Sequence, residues 1–475
     1  MNDRKEQGLH PGKAMIVFSV CNILQKCMPF LLMPILIRLL SIEDYGIYSV
    51  YTAWLAIGTT VCTLNLHLGV FNNGMHRFPQ HRQQYTVSMI WLTVGLTVIT
   101  GMILAVGGTF FSRLLQLPVE YLFCMLLQIL FQQIFFLWMA KERYEYGFGP
   151  MLWMTVFYGA LNFLFPVAFI FWAGASARSV IYSMVLLHGV IGAVCGIWMF
   201  RKGWRWKKEY MIYALSFNLP LLPHYLSGMV LNQLDRTMIG SMCGTEQAAI
   251  YSVAYLFSLA VNFAVSSVNS ALVPWTYGCM EKKNYEPLTR ITDFLIIGLG
   301  VMIAGAVLIM PEVMAFVVTP EYSEAVRLIP PIAASTFFIF LYNLFANVEF
   351  YWESKYAISL SSVGAALLNI VLNLWLIPLY GYGAAAYTTS ICYGLYALVH
   401  FWNMRRLCKK ENAGEIYHWK NILGIAAILT VFLLVIGAYY SVWQLRYSCL
   451  VILVGIVLLR RRQLVKEIKY LFGKP

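Results

Sequence analysis

The stretch from Thr86 to Phe110 reads TVSMIWLTVGLTVITGMILAVGGTF: 25 residues without a charge, held between Arg82 and Arg113. A helix rises 1.5 Å per residue, so about 20 apolar residues cross the hydrocarbon core of a bilayer. A run this long and this apolar reads as a membrane span. Working outward, similar runs fill the chain at about 14–37, 46–67, 119–139, 150–173, 180–199, 212–234, 248–272, 292–318, 328–350, 356–377, 383–402, 420–439 and 442–459. With 86–110 they make fourteen expected spans, the last two close enough to form a tight helical hairpin. The expected fold class is an all-α polytopic membrane protein.

Composition agrees. Of 475 residues, 60% are hydrophobic and only 12% charged, against about 25% charged in a soluble domain. The net charge of +13 would suggest nucleic acid in a soluble chain. Here the cations gather between apolar runs, so they read as orientation signals and no nucleic-acid partner is expected. With a cytoplasmic N-terminus the inside gaps hold 27 Lys and Arg and the outside ones six; Lys26 is left over. That bias places both termini in the cytoplasm. The first run is too long for a signal peptide and lacks a small-residue cleavage site, so no cleavable leader is expected. The ten Cys are scattered, with no CxxC and no metal-ligand spacing. They read as small apolar fillers, and neither metal nor cofactor is expected.

A repeat underlies the spans. Ile47-Tyr48-Ser49-Val50 returns as Ile250-Tyr251-Ser252-Val253, each time opening the second helix of a pair, and Gly174 falls opposite Gly381. Six is even, so both copies enter the membrane from the same side as parallel repeats. The expected division is a six-helix bundle over 1–200, a basic linker over 201–211, a second bundle over 212–403, and two extra helices with a basic tail over 404–475.

Candidate chemistry lies inside the spans. No GxxxxGK, GxSxG or HExxH occurs, and no gap is long enough for a soluble catalytic domain, so an enzyme is not expected. Lys26 sits midway between Lys13 and Arg38. A cation at that depth costs at least ~2.5–3.5 kcal/mol and is retained where it faces water, a counter-ion or an anionic ligand. Asn22, Gln25 and Lys26 share one helical face. Span 7 carries a stripe of Asn218, Tyr225, Gly228, Asn232 and Asp235, with Pro220 and Pro223 near its inner third. Asp235 could equally pair with Arg236 at the outer mouth. His224 is a possible proton site, although a hydrogen-bonded core histidine is the commoner case. Span 8 adds Tyr255 and Asn262. The pairs Gln128/Gln132, Asn343/Asn347 and Asn369/Asn373 read as helix-to-helix hydrogen bonds. Glu349 and Glu353, at the inner end of span 10, are expected to stay solvated. Spans 1, 2, 7 and 8 would line a central cleft suited to a sugar with anionic groups.

Leu231-Asn-Gln-Leu-Asp-Arg-Thr-Met-Ile-Gly240, Ala249-Ile-Tyr-Ser-Val-Ala-Tyr255 and Ala271-Leu-Val-Pro-Trp275 resemble bacterial oligosaccharide flippases. These are the polysaccharide-transport branch of the superfamily that includes the MATE multidrug exporters. Pro34-Ile-Leu-Ile-Arg38, Leu40-Ser41 and Glu43-Asp-Tyr-Gly-Ile-Tyr48 look like the same family's span 1–2 signature. The resemblance implies a pair of six-helix bundles that moves undecaprenyl-diphosphate-linked repeat units across the bacterial inner membrane for O-antigen, capsule or exopolysaccharide assembly. It implies a lipid-linked oligosaccharide substrate, membrane lipids, and a polysaccharide polymerase and chain-length regulator as partners. By position Lys26 would meet the lipid diphosphate, with Arg38 and Arg236 at the outer mouth. The alternatives are a cation-coupled multidrug exporter of the same fold, which would favour buried carboxylates, and a membrane polymerase or ligase, which would favour long external loops.

Overall fold

The computed structural model describes residues 32–145, 148–462 and 465–466. Among them every regular element is a helix and no strand occurs. The chain divides into two compact units, Met1–Ala249 and Ile250–Pro475.

The first unit begins, within the described residues, with helix α1 (32–39) and continues through α2 (Ile42–Thr63) and a short α3 (Gly69–Arg77). Then come α4 (Arg82–Leu115), α5 (Val119–Tyr144), α6 (Phe148–Ala173) and α7 (Ala177–Arg201). The unit closes with α8 (Lys208–Asn218), α9 (Leu222–Met242) and the start of α10 (Thr245–Glu281). Local chemistry sets the boundaries. Ser41 caps α2, its hydroxyl accepting from the Asp44 amide, and Ser176 caps α7 through the Ser179 amide. The Asp44 carboxylate also accepts from the Ala177 amide at 2.8 Å, so one acidic side chain joins the starts of two helices. Two residues on, Gly46 sits where a Cβ would lie 2.0 Å from the Thr245 carbonyl oxygen. The Glu43-Asp-Tyr-Gly signature therefore has a packing reason: α2 meets the chain near the start of α10 at a distance only glycine permits.

Residues 69–77 were legible only as part of a gap. They form a helix because Val70, Phe71 and Met75 present one fully buried face to Tyr85, Met89 and Phe135. Span 7 is also not one helix. Pro220 lies in a 3-10 turn over Leu219–Leu221 and Pro223 in the first turn of α9. Each lacks the amide that would continue the ladder, so α8 ends and α9 begins anew.

The second unit holds most of α10, then α11 (Glu286–Val317), α12 (Ala325–Tyr351), α13 (Lys355–Tyr380), α14 (Ala384–Lys410), α15 (Trp419–Ala438) and α16 (Trp443–Leu459). Helix α12 is its axis, packing on α11, α13, α14 and α15, with most of its residues buried. Helix α16 is fastened to α11 by Arg446, whose guanidinium makes two bonds to the Glu312 carboxylate (2.7 and 2.9 Å) and one to the Leu308 carbonyl.

Outward-facing residues are apolar to a degree water would not tolerate. Val106 is 92% exposed, and Trp172, Phe316 and Leu459 about as bare. With exposed Phe110, Leu367 and Val451 they form surfaces far larger than a soluble monomer shows. Nine helices among the described residues are long and apolar enough to cross a membrane, and Trp443–Leu459 is a shorter apolar one. The chain is thus a multi-pass membrane protein. The count of fourteen is not reached by this measure. Helices α2, α9 and α14 fall short because Tyr, Thr, Ser and Asn dilute their apolar content.

Candidate functional site

Of the sequence-derived site residues, Asn22, Gln25 and Lys26 lie outside the described residues, as does the His224 side chain. Arg38, on α1, is exposed. The others in the first unit lie on the broken α8–α9 pair. Asn218, at the end of α8, is 1% exposed. Its amide donates to the Leu64 carbonyl at 2.7 Å, where the chain leaves α2 through two left-handed residues, Leu64 and Asn65. Asn218 therefore satisfies a helix terminus that the left-handed turn leaves open. Tyr225 is half-buried. The Asn232 amide donates to the Gly228 carbonyl one turn back. Asp235 and Arg236 are 2% and 6% exposed, and Arg236 donates to the Gln233 side chain at 3.2 Å. Both ionisable residues are sunk in the packing of α9 against α2.

In the second unit Tyr255 is buried and stacks on Tyr251, with ring centroids 6.1 Å apart. Asn262 donates to the Ser258 hydroxyl, which pairs with Thr336 on α12. About three turns along the same seam Asn347 donates to Asn269 at 2.8 Å. The expected role of the amide pairs as helix-to-helix bonds holds for Gln128, which accepts from Tyr51, for Asn347, and for Asn369 and Asn373. Asn373 donates to Asn369, Asn369 to Thr389, and Thr388 to Asn373. Asn343 instead bonds its own helix at Ile339.

Glu349 corrects the sequence reading. It is not solvated: its side chain and that of His400 are both 0% exposed, and Glu349 Oε1 lies 2.7 Å from His400 Nδ1. Tyr342 and Tyr396 pack against the imidazole at centroid distances of 5.9 and 4.5 Å. The apolar run appeared to end at position 350, which suggested water at Glu349. The helix in fact continues through Tyr351, and α14 lies alongside it. The available signal was His400, a second ionisable residue inside an otherwise uncharged stretch.

Outside the spans, burial rather than charge governs the tyrosines. The Tyr322 phenol in the turn after α11 and the Tyr417 phenol before α15 are both pushed well above the ordinary range by burial. Tyr417 donates to the Leu344 carbonyl at 3.3 Å, so it closes the loop onto α12. Among the described residues no group of three or more His, Cys, Asp or Glu could hold a metal ion.

The profile of the family described as "Polysaccharide biosynthesis protein" matches residues 12–277, more than half the chain. The chain belongs to that polysaccharide biosynthesis family. A protein of the Lsg locus of Haemophilus influenzae is 24% identical over 375 residues, covering 75% of this chain and 89% of that protein. An uncharacterized membrane protein of the same organism is 22% identical over 270 residues, covering 55% of this chain and 64% of that protein. Among solved structures, the lipid II flippase MurJ in an inward closed conformation superposes with a TM-score of 0.67 at 13% identity, over 94% of this chain and 99% of that one. An inward-facing MATE multidrug resistance transporter of the MOP superfamily gives 0.67 at 13% identity, over 84% and 98%. The family member therefore shares the fold of these two structures, and the neighbours with a stated activity are transporters or flippases rather than enzymes.

Proposed function

We propose that this family member is a flippase for undecaprenyl-diphosphate-linked oligosaccharide repeat units. It carries them from the cytoplasmic to the outer leaflet of the bacterial inner membrane for O-antigen, capsule or exopolysaccharide assembly. Both termini face the cytoplasm, and a polymerase and a chain-length regulator take up the product. The observation that carries this reading is the family match over residues 12–277, which includes both signature regions and Lys26. The fold neighbours support it in kind, since one of them is a flippase for a lipid-linked substrate. In this reading Lys26 supplies charge to the diphosphate. The Asn and Tyr faces of spans 1, 2, 7 and 8 supply amide and phenol groups for sugar hydroxyls.

The test is complementation of a flippase-deficient strain with Lys26→Ala at matched protein abundance. Loss of surface polysaccharide is expected; full activity would remove Lys26 from the mechanism. A second reading, cation-coupled drug export, draws on the buried Glu349 carboxylate, because that chemistry favours an acid at membrane depth. Proton-driven efflux of a cationic dye from vesicles, abolished by Glu349→Gln, would select it. Its absence, with complementation intact, favours the flippase.

A further inference from the structure

Residues 202–207, between α7 and α8, are irregular yet tied down. Gln83 on α4 donates to the Met199 carbonyl at 2.7 Å and to the Gly203 carbonyl at 3.4 Å. Its own carbonyl accepts from Lys141 Nζ at 2.6 Å, and Lys141 is only 3% exposed. The Lys207 amide donates to the Ser88 hydroxyl at 3.0 Å. These bonds fold the segment back on the start of α4 and border an open cavity of about 460 Å³. His81, Lys202, Arg205 and Lys207 line it, and among the described residues no carboxylate does. Lys202 is held 3.7 Å from the centre of the Trp198 ring; Trp204, also in the lining, is 73% exposed, and Trp206, between the lining residues Arg205 and Lys207, is 52% exposed.

A loop that only needed to be soluble would spread these cations apart. Here the Gln83 and Ser88 side chains hold the loop backbone so that three cationic side chains gather around one space, with the bare Trp204 indole in its lining and exposed Trp206 between two lining residues. Arg and Lys bind phosphate oxygens through charge-assisted bonds, Trp settles in the headgroup layer of a bilayer, and basic pockets at the ends of membrane helices accept lipid headgroups. We propose that this cavity is a binding site for the phosphodiester headgroup of an anionic membrane phospholipid, distinct from any transported substrate. Lys202, Arg205 and Lys207 contact the phosphate, and Trp204 and Trp206 rest against the neighbouring headgroups. A free phosphate shares the charge chemistry but gains nothing from the exposed indoles.

The full-length protein, purified in detergent, is titrated with phosphatidylglycerol and with phosphatidylcholine of the same acyl chains, and bound lipid is counted by native mass spectrometry. Phosphatidylglycerol is expected to be retained at least about tenfold better. The triple variant Lys202→Gln, Arg205→Gln, Lys207→Gln is expected to abolish the preference, at about tenfold or less per charge removed. Removing the same number of charges at Arg460, Arg461 and Arg462 should leave it intact. Equal loss in the two triple variants would overturn the site, because attraction would then be diffuse. Displacement of the lipid by millimolar inorganic phosphate would also overturn it, in favour of a free-anion site. Should the first variant fail to fold, quenching of Trp emission by brominated phosphatidylglycerol decides. Quenching should fall in Trp204→Phe, Trp206→Phe, and an unchanged signal would refute the proposal.

Discussion

Replacing Glu349 by Ala leaves the His400 imidazole in a pocket from which both side chains exclude water completely. Breaking a buried pair from one side costs about 3–5 kcal/mol, because the surviving partner keeps its desolvation penalty without its bond. Among the described residues His400 Nε2 and Glu349 Oε2 have no further hydrogen-bond partner, so none of these neighbours takes over. Three related substitutions separate the causes. Glu349→Gln retains the shape and a neutral hydrogen bond and should cost about 0.5–1.5 kcal/mol. The double replacement Glu349→Leu, His400→Leu removes both polar groups and should be milder than Glu349→Ala, since an apolar pair of similar volume often matches a buried ionic one. Glu411→Ala, on an exposed carboxylate, should stay within about 0.5 kcal/mol of wild type. Thermal unfolding of the detergent-purified protein reads these differences. At about 2–4 °C per kcal/mol for a unit of this size, Glu349→Ala should melt about 6–20 °C below wild type. A shift under about 2 °C would mean that water reaches the carboxylate and the pair does not hold α12 to α14. A double variant worse than either single one would refute the desolvation account in particular.

Other substitutions probe other joints. Gly46→Ala places a methyl 2.0 Å from a backbone oxygen that cannot rotate away; a loss of about 1–3 kcal/mol or more is expected, seen as reduced monodisperse yield. Gly95→Ala, with nothing within 4 Å, should be neutral in the same assay. Arg446→Met removes a bidentate bond, but the Glu312 side chain is 43% exposed. The left-behind carboxylate can hydrate, and the loss should be nearer 1–2 kcal/mol. Reporter fusions at Trp206 and Gly414 should both read cytoplasmic, and a periplasmic signal at either would break the proposed topology.

Much of the fold was legible in the apolar runs, because a bilayer imposes a length and a polarity that no soluble solvent does. The helices at Val119–Tyr144, Ala177–Arg201 and Ala325–Tyr351 lie where the runs predicted them, a few residues longer at their ends. The amphipathic surplus was harder to read. Residues 69–77 hide a buried helix because three apolar side chains in nine residues resemble a loop until Tyr85 and Phe135 are set against them. The candidate site was legible as residue type and not as partner. Asn218 and Asn262 were chosen for their polarity, and the structure gives each a bond that a ligand would not need: a carbonyl at a helix end in one case, a serine hydroxyl in the other.

The misread glutamate and the misread span 7 have one physical origin. Hydropathy reports where side chains prefer water, whereas a helix ends where its backbone bonds end. At Pro220 and Pro223 the ladder is cut inside an apolar stretch, so one run yields two helices. At Glu349 the ladder runs on through Phe350 and Tyr351, so a charged side chain is carried into the packing of α14 and needs His400 to meet it. The same rule accounts for Asp235 and Arg236, which lie inside α9 rather than beyond its end and are buried accordingly. An ionisable residue near the edge of an apolar run is therefore placed by whether Pro or a left-handed residue stops the backbone before it. Among the described residues such stops include Leu64, Gln116, Lys283, Glu353, Asn412 and the two prolines. Glu353 lies beyond its helix and is exposed; Glu349, one turn earlier, is within it and is not.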